Sequence, residues 1–140
     1  SKRRVYVLMG DGECQGGIVW EGAMLCARYH LAHLTGIVDY NDVQLDGAVH
    51  DVMPLEPFVD KWRAFGWNIV EIDGHDMNRI VESLEGAKTH KGAPTLILAH
   101  TVKGKGVSYM ENVVEWHGKA PCKEEAECAL EEIRRCACES

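Results

Sequence analysis

Asp11 and Asn41 are the two residues whose types and placement point most directly to chemistry. Each follows an apolar run of strand type: Val5-Tyr6-Val7-Leu8-Met9 leads into Gly10-Asp11-Gly12, and Leu34 to Val38 leads into Asp39-Tyr40-Asn41. A helix-like stretch lies between them. Both side chains offer hard oxygen atoms, suited to a magnesium or calcium ion. Gly10 and Gly12 offer backbone N–H groups beside the start of a helix, where an anion is favoured. A carboxylate in a phosphate-binding loop repels the phosphate unless a cation sits between them, so the pair points to a metal-bridged diphosphate. Gly10-Asp11-Gly12 alone is a common βα turn. It is not the dinucleotide fingerprint, because Gly16 falls one position late for GxGxxG.

The elements that would position these residues alternate. Strands are expected at Val5–Met9, Gly36–Tyr40, Trp67–Ile72 and Pro94–Thr101. Helices are expected from about Gly17 to His33, at Leu55–Phe65 and Met77–Thr89, and from Lys123 to about Cys136. Val19, Ala23, Cys26 and Ala27 recur at helical spacing in the first helix, and Phe58, Trp62 and Phe65 form one stripe of the second. Residues 41–54 carry Gly, Pro and Asp without a period and read as an irregular loop, as do Lys103 to Gly118. Alternating strands and helices with apolar strands imply an α/β fold, a parallel sheet with helices on both faces. Ligands in such sheets sit beyond the carboxyl ends of the strands. Gly10-Asp11-Gly12, Asn41, Gly74-His75 and Lys103 all follow strands and should gather at that edge.

Bulk properties narrow the class. A chain of 140 residues with 46% apolar content is one domain-sized unit with a real core. Lys plus Arg is 15 and Asp plus Glu is 22, and the net charge of −7 argues against nucleic-acid binding as the main role. No apolar run reaches the length of a membrane span, and the run after Ser1-Lys2-Arg3-Arg4 is short for a signal peptide. The six cysteines, Cys14, Cys26, Cys122, Cys128, Cys136 and Cys138, lack paired CxxC spacing, so a zinc ribbon is unsupported. They read as free thiols of a cytoplasmic protein, with Cys14 and Cys26 buried and Cys136-Ala137-Cys138 incidental near a terminus. His30 and His33 read as a solvated helix face, and His50 and His90 as loop residues. His75 reads as part of a helix-capping turn without chemistry. Trp62, Phe65 and Trp67 read as core, and Glu124, Glu125, Glu127, Glu131 and Glu132 as a solvated acidic face.

Several words of the sequence together carry a resemblance. Gly10-Asp11-Gly12-Glu13-Cys14-Gln15, Val19-Trp20-Glu21, Asp39-Tyr40-Asn41, Asp46-Gly47, Ala64-Phe65-Gly66-Trp67, Asp73-Gly74-His75-Asp76, Thr101-Val102-Lys103-Gly104-Lys105-Gly106 and Trp116-His117-Gly118-Lys119 resemble transketolase. They are most similar to its split form, in which the diphosphate-binding half is a separate subunit. The resemblance covers nearly the whole chain, read as a single, partial diphosphate-binding domain. It implies thiamine diphosphate and a divalent metal, magnesium or calcium, as cofactors. Asp11, Asn41 and the backbone carbonyl of Val43 would ligate the metal. Gly10, Gly12, Glu13 and Leu45 would contact the cofactor, Leu45 near its thiazolium ring. Lys103 and His117 would line the cofactor and substrate pocket and act in catalysis, His117 in proton movements.

The implied reaction moves a two-carbon ketol unit from a ketose phosphate to an aldose phosphate. It needs a partner, the C-terminal subunit with the pyrimidine-binding domain, whose glutamate activates the aminopyrimidine. A homo- or hetero-oligomer is therefore expected, and the chain alone should not turn over. Two departures accompany the resemblance. Gly16 stands where transketolases usually carry a glutamate of the subunit interface, while Glu21 is retained. In the family a substantial segment precedes the first strand seen here, so about four strands are expected, with apolar surface left uncovered and prone to association. Two alternatives stay open: a non-catalytic remnant of such a protein, and an enzyme like the deoxyxylulose-phosphate synthases, which also carry glycine at that place.

Overall fold

The computed structural model describes residues 3–138, with side chains through 135. Cys136 and Cys138 thus lie outside the described side chains. Strands β1 (Val5–Gly10), β2 (Leu34–Tyr40), β5 (Asn68–Asp73) and β6 (Thr95–His100) form one parallel sheet in the order β1-β2-β6-β5. Its helices are α1 (Gly17–Arg28), α3 (Phe58–Ala64), α4 (Met77–Thr89) and α5 (Lys123–Cys138). β6 is apolar from Leu96 to Ala99 because it lies in the middle of the sheet with both faces covered; Leu96 is fully buried and Ile97 and Leu98 are 2% exposed. Among the described residues no helix is long and apolar enough to cross a membrane.

The two faces are filled differently. Val38, Leu96 and Leu98 point to the side of α1 and α3, where Ala23, Phe58, Trp62 and Trp67 complete the core. Trp62 and Trp67 meet edge to face at 4.9 Å, and the Trp67 indole N–H donates to Ala23 O at 2.9 Å, locking the start of β5 to α1. On the opposite face, Ile80 and Leu84 of α4 share a groove with Leu8, Ile37 and Ile97. That cover stops short of β1, where Val5, Tyr6, Val7 and Leu8 are all exposed.

Three segments differ most from the sequence expectation, and α3 also starts at Phe58 rather than Leu55. α1 ends at Arg28 rather than His33. His30 takes a left-handed φ of 51°, and His30 N and Leu31 N turn back to Ala27 O and Cys26 O at 3.0 and 3.1 Å. His30 and His33 are therefore not on a helix; the His30 ring nitrogen Nδ1 lies 3.0 Å from Gly92 O. Residues 41–54 are not irregular: β3 (Val43–Gln44) and β4 (Gly47–Ala48) form a small antiparallel hairpin, followed by the single-turn α2 (Val49–Val52). These elements are too short to show a hydrophobic period, which is why the sequence hid them. Finally, Glu125 and Glu132 are not merely solvated. The Glu125 carboxylate accepts from Cys122 N at 2.7 Å at the start of α5, and Glu132 accepts from Ser108 N at 2.6 Å and Ser108 Oγ at 2.9 Å. α5 is thereby tied to the loop that follows β6.

Candidate functional site

Parallel register sets the site. Gly10 pairs with Asp39 and Asp39 with Ala99, so the exits of β1, β2 and β6 lie side by side at the carboxyl edge. The chain leaves β1 through Asp11 and a 3-10 turn, Gly12–Gln15, before α1 begins at Gly17. A short turn thus separates Gly10 and Gly12 from α1, which begins at Gly17, the expected start. Gly12 sits close against the β3–β4 hairpin: a Cβ there would stand 3.0 Å from Gln44 Cβ.

Asp11 is 1% exposed and ties the two strand ends together. Its Oδ2 accepts from Asn41 N at 3.0 Å and Asp42 N at 2.5 Å, and its Oδ1 accepts from Gly12 N at 2.7 Å. Burial pushes its carboxyl upward from the ordinary value, against the pull of those three N–H groups and with help from the nearby Asp39 charge. Asn41 is oriented by its neighbours: its Nδ2 donates to Asp39 Oδ2 at 3.0 Å, and its Oδ1 accepts from Val43 N at 2.9 Å. One lone pair of that oxygen is left over.

These groups open onto a cavity of about 550 Å³ lined by Gly10, Asp11, Gly12, Glu13, Asn41, Val43, Leu45, Lys103 and His117. All nine residues singled out in the sequence therefore surround one space. Gly74 and His75 follow β5 at the other side of the sheet and do not line it. Glu13 turns its carboxylate to Gly10 N at 2.6 Å. Leu45 is 71% exposed and lies beside the turn at Gly118. His117 ends the 3-10 turn Val114–His117, which Trp116 steadies by donating its indole N–H to Tyr109 O at 3.1 Å. Lys103 reaches the cavity from the loop after β6, and among the described residues its ammonium has no ion-pair partner.

The cavity also takes in three residues to which the sequence reading gives no role at the site: Asp39, Gln44 and Asp46. Asp39 stands two places before Asn41, near the end of β2, and accepts from its side chain, a spacing that could have flagged it. It also accepts from the Thr101 hydroxyl, joining the exits of β2 and β6. Gln44 accepts from Gln15 Nε2 at 2.6 Å, a contact that depends on the hairpin and left no mark in the sequence.

Comparison with known proteins follows the same division. The family described as "Transketolase, thiamine diphosphate binding domain" matches residues 1–134. The chain is 42% identical over 131 residues to a 6-deoxy-6-sulfo-D-fructose transketolase subunit of Clostridium sp. (strain MSTE9), covering 94% of this chain and 48% of that protein. It is 42% identical over 130 residues to an apulose-4-phosphate transketolase subunit of Phocaeicola vulgatus, covering 93% of this chain and 46% of that protein. The chain thus spans about half the length of these curated relatives. The crystal structure of transketolase from Campylobacter jejuni superposes with a TM-score of 0.87 at 31% identity, over 94% of this chain and 20% of that one.

Proposed function

The chain belongs to the transketolase family, whose thiamine diphosphate-binding domain it carries, and on that premise we propose that its cavity seats a divalent cation and the cofactor's diphosphate. The charge of the lining carries this reading. Asp11, Glu13, Asp39 and Asp46 face a single lysine, Lys103. A diphosphate enters such a space only with a cation, and the buried Asp11 carboxylate and the spare Asn41 oxygen are hard donors for one. Among the described residues no group of three His, Cys, Asp or Glu could chelate a metal unaided. The site therefore leaves coordination places for ligand oxygens, which magnesium and calcium both accept. The donor set fits the cofactor.

The residue roles are those the resemblance implies, and the gathering of these residues around one cavity supports them. Asp11 and Asn41, with the carbonyl of Val43, hold the metal. Gly10, Gly12 and Glu13 border the diphosphate, where the lack of a Cβ at residue 12 keeps the backbone close to the hairpin. Leu45 packs near the thiazolium. Lys103 would complement phosphate charge, and His117 at the rim would help proton movements on the substrate. When bound, thiamine diphosphate supplies the nucleophilic thiazolium carbon for cleaving and forming carbon–carbon bonds. Residues 1–140 thus act as one diphosphate-binding unit. With a partner subunit that carries the pyrimidine-binding domain, it transfers a two-carbon ketol unit from a ketose phosphate to an aldose phosphate. The names of the relatives, transketolase subunits, support a divided enzyme.

Calorimetric titration with thiamine diphosphate and magnesium, with and without the partner subunit, tests the proposal. Saturable binding that disappears in Asp11→Ala is the expected result. No heat in either setting overturns it in favour of a remnant without activity.

A further inference from the structure

The Lys103 loop is held from a strand that does not reach the cavity. β5 ends in Asp73-Gly74-His75-Asp76, a turn pressed against the exit of β6. Gly74 N donates to His100 O at 2.8 Å, and a Cβ on Gly74 would collide with Thr101 Cγ2 and stand 3.1 Å from His100 O. No side chain fits there. His75 N donates to Asp73 Oδ1 at 2.8 Å, and Asp76 caps α4 by accepting from Asn78 N at 2.9 Å and Arg79 N at 3.2 Å. The backbone on both sides of His75 is therefore fixed, and its ring is aimed across the strand ends. Val102 N donates to His75 Nε2 at 2.8 Å.

We propose that His75 is a positioning residue, whose Nε2 holds the backbone of Val102 and so sets the Lys103 ammonium at the cavity. This inference rests on the diphosphate reading of that cavity. The neighbouring backbone groups find partners in the main chain: Thr101 N donates to Tyr40 O at 3.2 Å, Lys105 N to Val102 O at 3.2 Å and Asn112 N to Lys103 O at 2.9 Å. The N–H immediately before Lys103, by contrast, depends on a side chain from another strand end. Accepting it requires a lone pair on Nε2, so the ring is neutral with its proton on Nδ1. A protonated ring has no such lone pair and turns an N–H toward an N–H. Charged groups on the elements around the ring are Asp73 and Asp76 of its own turn, Arg79 of α4, and Lys103, Lys105 and Glu111 of the loop. Glu111 accepts from Gly106 N at 3.0 Å and pairs with Lys105 at 3.6 Å. A loop released from His75 must be ordered by the ligand itself, which weakens binding.

The test compares wild type, His75→Leu and His75→Gln in the full chain with its partner subunit. Hydrogen exchange of peptides covering residues 101–106 and titration with thiamine diphosphate plus magnesium are read for each. His75→Leu should speed exchange of that segment and weaken binding about two- to tenfold, the effect of one lost hydrogen bond. Gln places Oε1 as many bonds from the backbone as Nε2 and should restore both. In a Lys103→Ala background, His75→Leu should weaken binding no further. Unchanged exchange in His75→Leu, or an undiminished effect without Lys103, overturns the positioning role alone. Absence of binding in every protein, wild type included, overturns the diphosphate reading and with it the purpose given to Lys103.

Discussion

Asp11 does two jobs that a substitution can separate. As a buried acceptor it satisfies the N–H groups of Asn41 and Asp42, and as a carboxylate it would hold the cation. Asp11→Ala leaves those donors unpaired and should lower stability by about 1–3 kcal/mol in denaturant titrations without cofactor. Asp11→Asn can keep its one oxygen in the place of Oδ2, which accepts from both of them, and gives up only the acceptor for Gly12 N, so it should lose less stability. Both variants should lack the rise in melting temperature that thiamine diphosphate and magnesium give the wild type through preferential binding to the folded state. A cofactor-induced rise retained in Asp11→Asn would count against the metal role. Cys14, buried beneath the same turn, carries a different expectation. Burial, with the nearby Asp11 and Glu13 charges, pushes its thiol up to about 12. Its reactive thiolate is therefore nearly absent at pH 8, and native-state alkylation followed by mass spectrometry should spare it. Cys122 and Cys128 are exposed and should be labelled first. Labelling of Cys14 at their rate would mean that the turn opens readily.

Elements with a strong signal are legible in the sequence, and those without one are not. α4 can be read residue for residue, because Asp76 announces its start and an amphipathic stripe sustains it. The same signal makes a forecast: Asp76→Ala removes the acceptor for Asn78 N and Arg79 N and should cost about 0.5–2 kcal/mol by thermal or chemical denaturation. A loss well below that range would show that packing under α4, not its cap, decides its stability. The four long strands are legible because apolar runs of strand length are bounded by Gly, Asp and Asn. The end of α1 is not, since it is set by the left-handed turn at His30 rather than by a Gly or Pro. The β3–β4 hairpin is hidden because each of its strands has only two residues. At the site, Asp11 and Asn41 stand out by residue type at two strand ends, and the residues the resemblance adds line the same cavity. Asp39 and Gln44 matter through partners distant in the chain, Thr101 and Gln15, and pairings of that kind exist only in the folded sheet.

At the scale of the molecule, the surface around β1 decides how this chain behaves by itself. Among the described residues β1 pairs with β2 on one side only, so its other edge presents unpaired backbone groups. Both faces are open as well: Leu8 is 71% exposed toward the α4 groove, and Val7 at 40% and Ile18 at 80% border the groove beside α1. The strand contains no proline or lysine to blunt pairing. Burying a large aliphatic side chain contributes roughly 1.5–3 kcal/mol, so a few of these residues meeting another surface outweigh the loss of free motion of a weak complex. The net charge of −7 opposes that contact, but at physiological salt its reach is only about 8 Å. Hydrophobic contact therefore wins, and the chain prepared alone should self-associate, more strongly as salt is raised. Sedimentation velocity over a concentration series measures this directly. Leu8→Lys and Ile18→Glu replace exposed side chains, so they should leave the melting temperature nearly unchanged while shifting the population toward monomer. If the wild-type chain stays monomeric at every concentration and salt, the open face of β1 is not adhesive, and its exposed residues are ordinary apolar surface.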